Sequence, residues 1–105
     1  MSDLKQTIKD TVEKNKVALF MKGTPDSPQC GFSARVSGVL EDLGVEYASV
    51  NIYSDHPTIL RTLTDIYGWP TSPQLFIDGE LIGGCDISME LYETGELQKK
   101  LGVTV

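Results

Sequence analysis

Only two cysteines, Cys30 and Cys85, and a single histidine, His56, occur among the 105 residues. A structural zinc site normally takes four ligands. These three side chains show no paired ligand spacing, so structural zinc is excluded. Two cysteines are also too few for a disulfide framework, and free thiols fit a reducing compartment. The opening Met1-Ser2-Asp3 lacks a basic stretch and an apolar core, so no secretory signal is expected. Long apolar runs are missing too: the longest, Val17 to Met21, falls far short of the roughly 20 residues that span a bilayer. Basic residues are scarce and scattered, nine against fifteen acidic for a net charge of −6. Without a Lys/Arg cluster, a nucleic-acid partner is not expected. Repeats and low-complexity segments are absent as well. What remains is an ordinary globular composition, 40% hydrophobic, expected to form one domain over residues 1–105 around one modest core. The expected location is the cytoplasm, or an organellar matrix if a transit peptide is removed.

Leu4, Ile8 and Val12 recur at helical spacing behind Ser2, a candidate N-cap, and Asn15 ends that first helix. Val17-Ala18-Leu19-Phe20-Met21 is continuously apolar and short, as in a strand buried on both faces. Residues 22–29 are rich in Gly, Pro, Ser and Asp and form a loop. A second helix carries Phe32, Val36, Val39, Leu40 and Leu43 and stops at Gly44. Residues 45–52 are expected as a strand, with Val45, Tyr47, Val50 and Ile52 alternating imperfectly. Asp55 caps a third helix with Pro57 in its first turn, His56 in solvent, and Ile59, Leu60, Leu63, Ile66 and Tyr67 on its buried side. Gln74-Leu75-Phe76-Ile77 and Glu80-Leu81-Ile82 flank Asp78-Gly79, a strong hairpin signal. Gly83-Gly84 leads into a helix bearing Ile87, Leu91 and Tyr92, and a last short helix runs from Glu96 to Leu101. A βαβ unit followed by a hairpin and helices gives an α/β fold with one mixed sheet flanked by helices.

Cys30 stands between a loop and a helix start, where unpaired N–H groups and the positive end of the helix dipole favour an anion. A thiol so placed has its pKa lowered, which makes it a nucleophile and a metal-binding thiolate. Lys22, at the end of the preceding strand, adds a cation, and Gly31 allows the backbone to pass close beneath the sulfur. The competing reading is a small buried hydrophobe. The neighbours Pro28, Gln29, Gly31 and Ser33 do not resemble a core. Three residues on stands Ser33, so the second thiol of a Cys-x-x-Cys pair is missing.

Lys22-Gly23-Thr24-Pro25, Pro28-Gln29-Cys30-Gly31-Phe32-Ser33, Trp69-Pro70-Thr71, Pro73-Gln74-Leu75 and the stretch 79–86 (Gly-Glu-Leu-Ile-Gly-Gly-Cys-Asp) resemble the monothiol glutaredoxins of the Cys-Gly-Phe-Ser class. The resemblance runs from about Val17 to Leu101, and five motifs in order make it specific. It implies a thioredoxin-like (glutaredoxin) fold with a four-stranded mixed sheet and a glutathione groove beside Cys30. It also implies a [2Fe–2S] cluster bridged between two protomers, with Cys30 as the metal ligand from each chain and two glutathione thiolates completing the set. The implied partners are a second copy when the cluster is bound, BolA-type proteins and apo iron–sulfur proteins, with a monomer when apo. Activity as a glutathione-dependent thiol–disulfide oxidoreductase is implied to be weak and would use Cys30.

The glutathione site so implied consists of Lys22, Cys30, Gly31, Phe32, Arg61, Thr71, Ser72, Pro73, Gly84, Cys85 and Asp86. Family members carry a cis proline at the place of Pro73. Ser72 departs from the bulkier apolar residue common there. Relatives also place an Arg and a Lys on the third helix where Leu60 and Thr64 stand here. Arg61 is displaced by one residue, about 100° round the helix. Asp86 is either the N-cap of a helix beginning at Ile87 or a ligand for an amino group. Cys85 is either a small buried group or a second redox thiol that reaches Cys30. Trp69 and Phe32 are expected as packing elements, with Phe32 also at a protomer interface.

Overall fold

In the computed structural model, which describes residues 2–55 and 58–103, five helices and four strands follow the expected order. Helix α1 is Ser2–Lys14, strand β1 is Val17–Met21, helix α2 is Gly31–Asp42 and strand β2 is Ala48–Asn51. A 3-10 turn, Ile52–Asp55, precedes helix α3, Thr58–Tyr67. Strands β3, Gln74–Ile77, and β4, Glu80–Gly83, lead to helices α4, Cys85–Thr94, and α5, Glu96–Leu101. His56 and Pro57 lie outside the described residues.

The four strands form one mixed sheet in the order β2-β1-β3-β4. β1 runs parallel to β2 and antiparallel to β3, and β3 pairs antiparallel with β4. Every residue of β1 is buried, because β1 is an inner strand with helices on both faces. Side chains alternate across a strand. Val17, Leu19 and Met21 therefore enter one core with Val36, Leu40, Leu75 and Leu97, while Ala18 and Phe20 enter the other with Ile8, Val12, Leu63 and Phe76. Phe20 meets Phe76 edge-on with centroids 5.6 Å apart, and Tyr67 tilts onto Phe76 at 4.7 Å. A continuous apolar run is what such a strand requires.

The hairpin turns at Asp78 and Gly79, whose φ values of 53° and 81° match the type I′ turn that two-residue loops favour. At the end of α2, Gly44 N–H donates to the Glu41 carbonyl and Val45 N–H to the Leu40 carbonyl, closing the reciprocal helix stop that glycine permits. That bond corrects the expected second strand. Val45 is committed to the helix end and Ile52 to the 3-10 turn, so β2 shortens from the expected 45–52 to Ala48–Asn51. The start of α4 differs from expectation as well. Its N-cap is Gly84 and its first residue Cys85, so Asp86 sits inside the first turn rather than capping it. Gly83 makes this possible. Its φ is +140°, and a Cβ there would lie 2.8 Å from Ile87 Cδ1, so the chain passes from β4 straight into the helix.

Candidate functional site

The loop after β1 returns the chain so that Cys30 lies beside the strand end. Gly23 begins it with φ +90°, and a Cβ at that position would come within 2.5 Å of the Ser27 carbonyl oxygen. Only glycine fits so close a backbone approach. Thr24 and Ser27 exchange backbone hydrogen bonds of 3.2 and 3.1 Å, and Gln29 N–H donates to the Lys22 carbonyl at 2.8 Å. Asn51, at the end of β2, ties the loop to the sheet: its Oδ1 accepts Gly23 N–H at 3.0 Å and Tyr53 N–H at 2.9 Å.

Cys30 has an extended backbone (φ −154°, ψ 136°) and is the N-cap of α2, its carbonyl accepting Ala34 N–H at 2.9 Å. As a thiol it closes no capping hydrogen bond. The first N–H groups of the helix nonetheless favour its anion, because they have no partner within the helix. The Ser33 N–H holds the Cys30 pKa below the ordinary value of 9.0, with help from Phe32 N–H, the Lys22 charge and the Ser33 hydroxyl; partial burial opposes them. Ser33 itself is 0% exposed, and its Oγ accepts Lys22 N–H at 3.0 Å.

Cys85 is the opposite case. It is 7% exposed and belongs to the core between the sheet, α2 and α4. Burial pushes its thiol up, Asp86 and Cys30 add to that, and the Arg35 guanidinium offsets part of it. Both cysteines are free.

A groove of about 610 Å³ runs past the Cys30 sulfur. Lys22, Cys30 and Phe32 line one side, residues 69–73 with Leu60 a second, and residues 84–87 a third. Of the expected site residues, the fold brings together Lys22, Cys30, Phe32, Thr71, Ser72, Pro73, Gly84, Cys85 and Asp86. Gly31 is exposed as the first residue of α2 and is not part of the lining. Arg61 lines a separate hollow of about 270 Å³ with Thr64 and Asp65, which meets the groove at Leu60 and Pro70. The Ser72–Pro73 peptide bond is cis, as the resemblance implied. Phe32 is 57% exposed and Ile87 37%, so the groove has two apolar lips.

The 69–73 wall is held by residues that sequence reasoning passed over. Gln74, fully buried in β3, donates from Nε2 to the Trp69 carbonyl at 2.9 Å and the Thr71 carbonyl at 3.0 Å. Thr64 Oγ1 lies 2.9 Å from the Leu60 carbonyl and 3.1 Å from the Trp69 carbonyl. A glutamine opening an otherwise apolar buried strand was the available signal, since buried amides need partners. On the same wall, Trp69 Nε1 and Ser72 Oγ are buried polar atoms with no partner within the protein. Gly84 packs tightly there, a Cβ on it reaching within 3.4 Å of the Pro73 carbonyl and 3.5 Å of Trp69 Nε1.

A second hollow, about 560 Å³, lies at the far end of β1 between Lys14, Lys16, Tyr47 and Leu101. It contains no cysteine, whereas the Cys30 groove joins an anion-favouring thiol, a cation, a carboxylate and unpartnered polar atoms. Among the described residues, no helix is long and apolar enough to cross a membrane, and no group of three or more His, Cys, Asp or Glu side chains is placed to hold a metal ion.

The glutaredoxin family model matches residues 17–82. Over 94 residues the chain is 51% identical to the "Probable monothiol glutaredoxin 2" of Rickettsia typhi, covering 90% of this chain and 84% of that protein. The solution structure of reduced poplar apo GrxS14 matches with a TM-score of 0.81 and 50% identity, over 94% of this chain and 90% of that one. The crystal structure of a buckwheat glutaredoxin–glutathione complex matches with a TM-score of 0.85 and 29% identity, over 96% and 89%.

Proposed function

Because the chain belongs to the glutaredoxin family, in its monothiol branch, we propose that it binds glutathione beside Cys30 and carries a [2Fe–2S] cluster as cargo between two copies of itself. On this reading it acts in the cytoplasm, in iron–sulfur cluster assembly and transfer and in iron homeostasis. The observation that carries the reading is one anion-favouring sulfur in a groove, with a buried serine where a second thiol would stand.

Glutathione is a small peptide with two carboxylates and an amino group, and the groove offers a partner for each kind of group. Lys22 supplies a cation for one carboxylate. The N–H groups opening α4 at Cys85 and Asp86 supply donors for the other. Asp86, in the first turn of α4, supplies a carboxylate for the amino group. Thr71 and Ser72, before cis Pro73, line the groove and offer the peptide their remaining backbone polar groups. Trp69 Nε1 and Ser72 Oγ, unpartnered within the protein, support a polar occupant. The buckwheat relative is solved as a glutaredoxin–glutathione complex.

Four thiolates complete a [2Fe–2S] cluster. One chain offers a single ready thiolate, Cys30, because burial keeps Cys85 protonated. Two copies and two glutathiones make up the four with two-fold symmetry. The protein is then a monomer when apo and a homodimer when loaded, with Phe32 at the lip of the contact, and it delivers to apo iron–sulfur proteins and BolA-type partners. Anaerobic reconstitution with iron, sulfide and glutathione is expected to give a coloured dimer. A colourless monomer, or colour that survives Cys30→Ser, would remove the proposal.

One observation favours a second activity at the same site: Cys85 lines the groove that holds Cys30. The Cys30 thiolate would attack the glutathione sulfur of a glutathionylated protein, and the protein thiolate would leave. A second glutathione thiolate would then attack the glutathione sulfur of the Cys30 mixed disulfide, freeing the Cys30 thiolate and glutathione disulfide. Attack by Cys85 on the Cys30 sulfur would instead release glutathione and leave a Cys30–Cys85 disulfide, which two further glutathiones reduce. Turnover of a glutathionylated substrate, abolished by Cys30→Ser, is the assay for it.

A further inference from the structure

Lys22 stands one residue beyond β1, where the sheet ladder ends at Met21 paired with Asn51. Its backbone N–H therefore has no strand to bond. It donates instead to Ser33 Oγ at 3.0 Å, and its carbonyl accepts Gln29 N–H at 2.8 Å. Both polar groups of the Lys22 backbone are thus used by residues flanking Cys30, one on each side. Ser33 is 0% exposed, so neither water nor ligand competes for its oxygen.

We propose that Ser33 is a positioning residue, whose hydroxyl bolts the Lys22 backbone to the first turn of α2 and so holds the Lys22 ammonium on the Cys30 side of the groove. The residue that stands where a second thiol would be is then an anchor rather than a vacancy. A thiol would make a weaker anchor, because sulfur is a weak acceptor for a backbone N–H. The inference rests on the reading of Cys30 as the reactive sulfur.

The test compares alkylation of Cys30 by iodoacetate, an anion, with alkylation by neutral iodoacetamide, each followed by mass spectrometry of the Cys30 peptide. Both reagents need the thiolate, so their rate ratio cancels its abundance and reports the local positive charge. Lys22→Met is expected to lower the iodoacetate/iodoacetamide ratio by about two- to five-fold, the range a partly exposed charge contact supports. Ser33→Ala, with Lys22 still present, is expected to lower it nearly as far. In the double variant, no further fall is expected. A wild-type ratio in Ser33→Ala overturns the inference, and so does a fall that persists in full on the Lys22→Met background. Loosening of the fold alone would change both rates together and leave the ratio unmoved, which also counts against it. A measurement on the unaltered protein stands beside these: the Lys22 amide should be protected from hydrogen exchange although it lies beyond the ladder, and fast exchange overturns the anchor. Failure of wild-type Cys30 to react with either reagent would instead sink the reading of the site.

Discussion

The side-chain amide of Gln74 reaches from the buried end of β3 to the Trp69 carbonyl at 2.9 Å. It also holds Thr71, so one side chain fixes the backbone of the wall facing Cys30. Replacing Gln74 with Leu leaves those carbonyls short of a donor in a buried place. The expected cost is about 1–3 kcal/mol, measured by urea denaturation. Glutathione affinity, measured by titration calorimetry, should fall beyond what the stability loss explains, because the wall is freed.

The two thiols should separate by pH. Ser33 N–H, Phe32 N–H and Lys22 keep Cys30 below the ordinary 9.0, whereas burial keeps Cys85 above it. As pH rises from acid, Cys30 is labelled first and Cys85 only well into alkali, read by differential alkylation and peptide mapping. The stability contributions have opposite signs. That of Cys30 is present above its unfolded value and lost as pH falls through its lowered folded value. That of Cys85 is present below its unfolded value and lost as pH rises through its raised one. Cys30→Ser and Cys85→Ser should therefore change the pH profile of the melting temperature in opposite directions.

Charge at the groove should act through Lys22 rather than Arg61, which lines the neighbouring hollow. Arg61→Ala is expected to leave glutathione affinity within about two-fold, the scale of an exposed charge. Lys22→Met should weaken it several-fold more than Arg61→Ala does. Equal losses in the two variants would place Arg61 in the groove after all.

Gly23→Ala should be poorly tolerated. The new methyl meets the Ser27 carbonyl oxygen at 2.5 Å, and φ of +90° is strained for any side chain. A loss of roughly 1–3 kcal/mol is expected from the backbone alone, with slower Cys30 alkylation because the loop carries that residue.

Phe20 is 0% exposed and packs edge-on against Phe76. Phe20→Ala is expected to cost about 3–5 kcal/mol, read as a drop in the denaturant midpoint. Cys30 should keep its reactivity while the protein stays folded, since Phe20 points into the α1/α3 core and away from the groove.

Much of this architecture was legible in the residues. A run as apolar as Val17 to Met21 fits only a strand covered on both faces, and Asp78-Gly79 names its turn. The resemblance motifs located the groove, and Cys30, Lys22 and Asp86 meet there. The misjudged boundaries have local causes. Val45 is a β-branched residue that a strand would welcome, yet its N–H is claimed by the Leu40 carbonyl. Asp86 is a good N-cap, yet Gly83 and Gly84 let the helix begin ahead of it. The partners of Gln74 and Ser33 were illegible for a different reason, although a glutamine in an apolar strand did signal that partners must exist. Those partners are carbonyl and N–H groups of residues 69, 71 and 22, contacts set by backbone geometry that side-chain identity does not encode.

The groove is unevenly anchored. Lys22 extends from an inner strand packed on both faces, while the wall opposite is a run of 69–73 fastened chiefly through Gln74 and Thr64. Substitutions at Gln74 or Thr64 are therefore expected to change how fast glutathione exchanges beside the sulfur, and substitutions along the central strand to leave it alone.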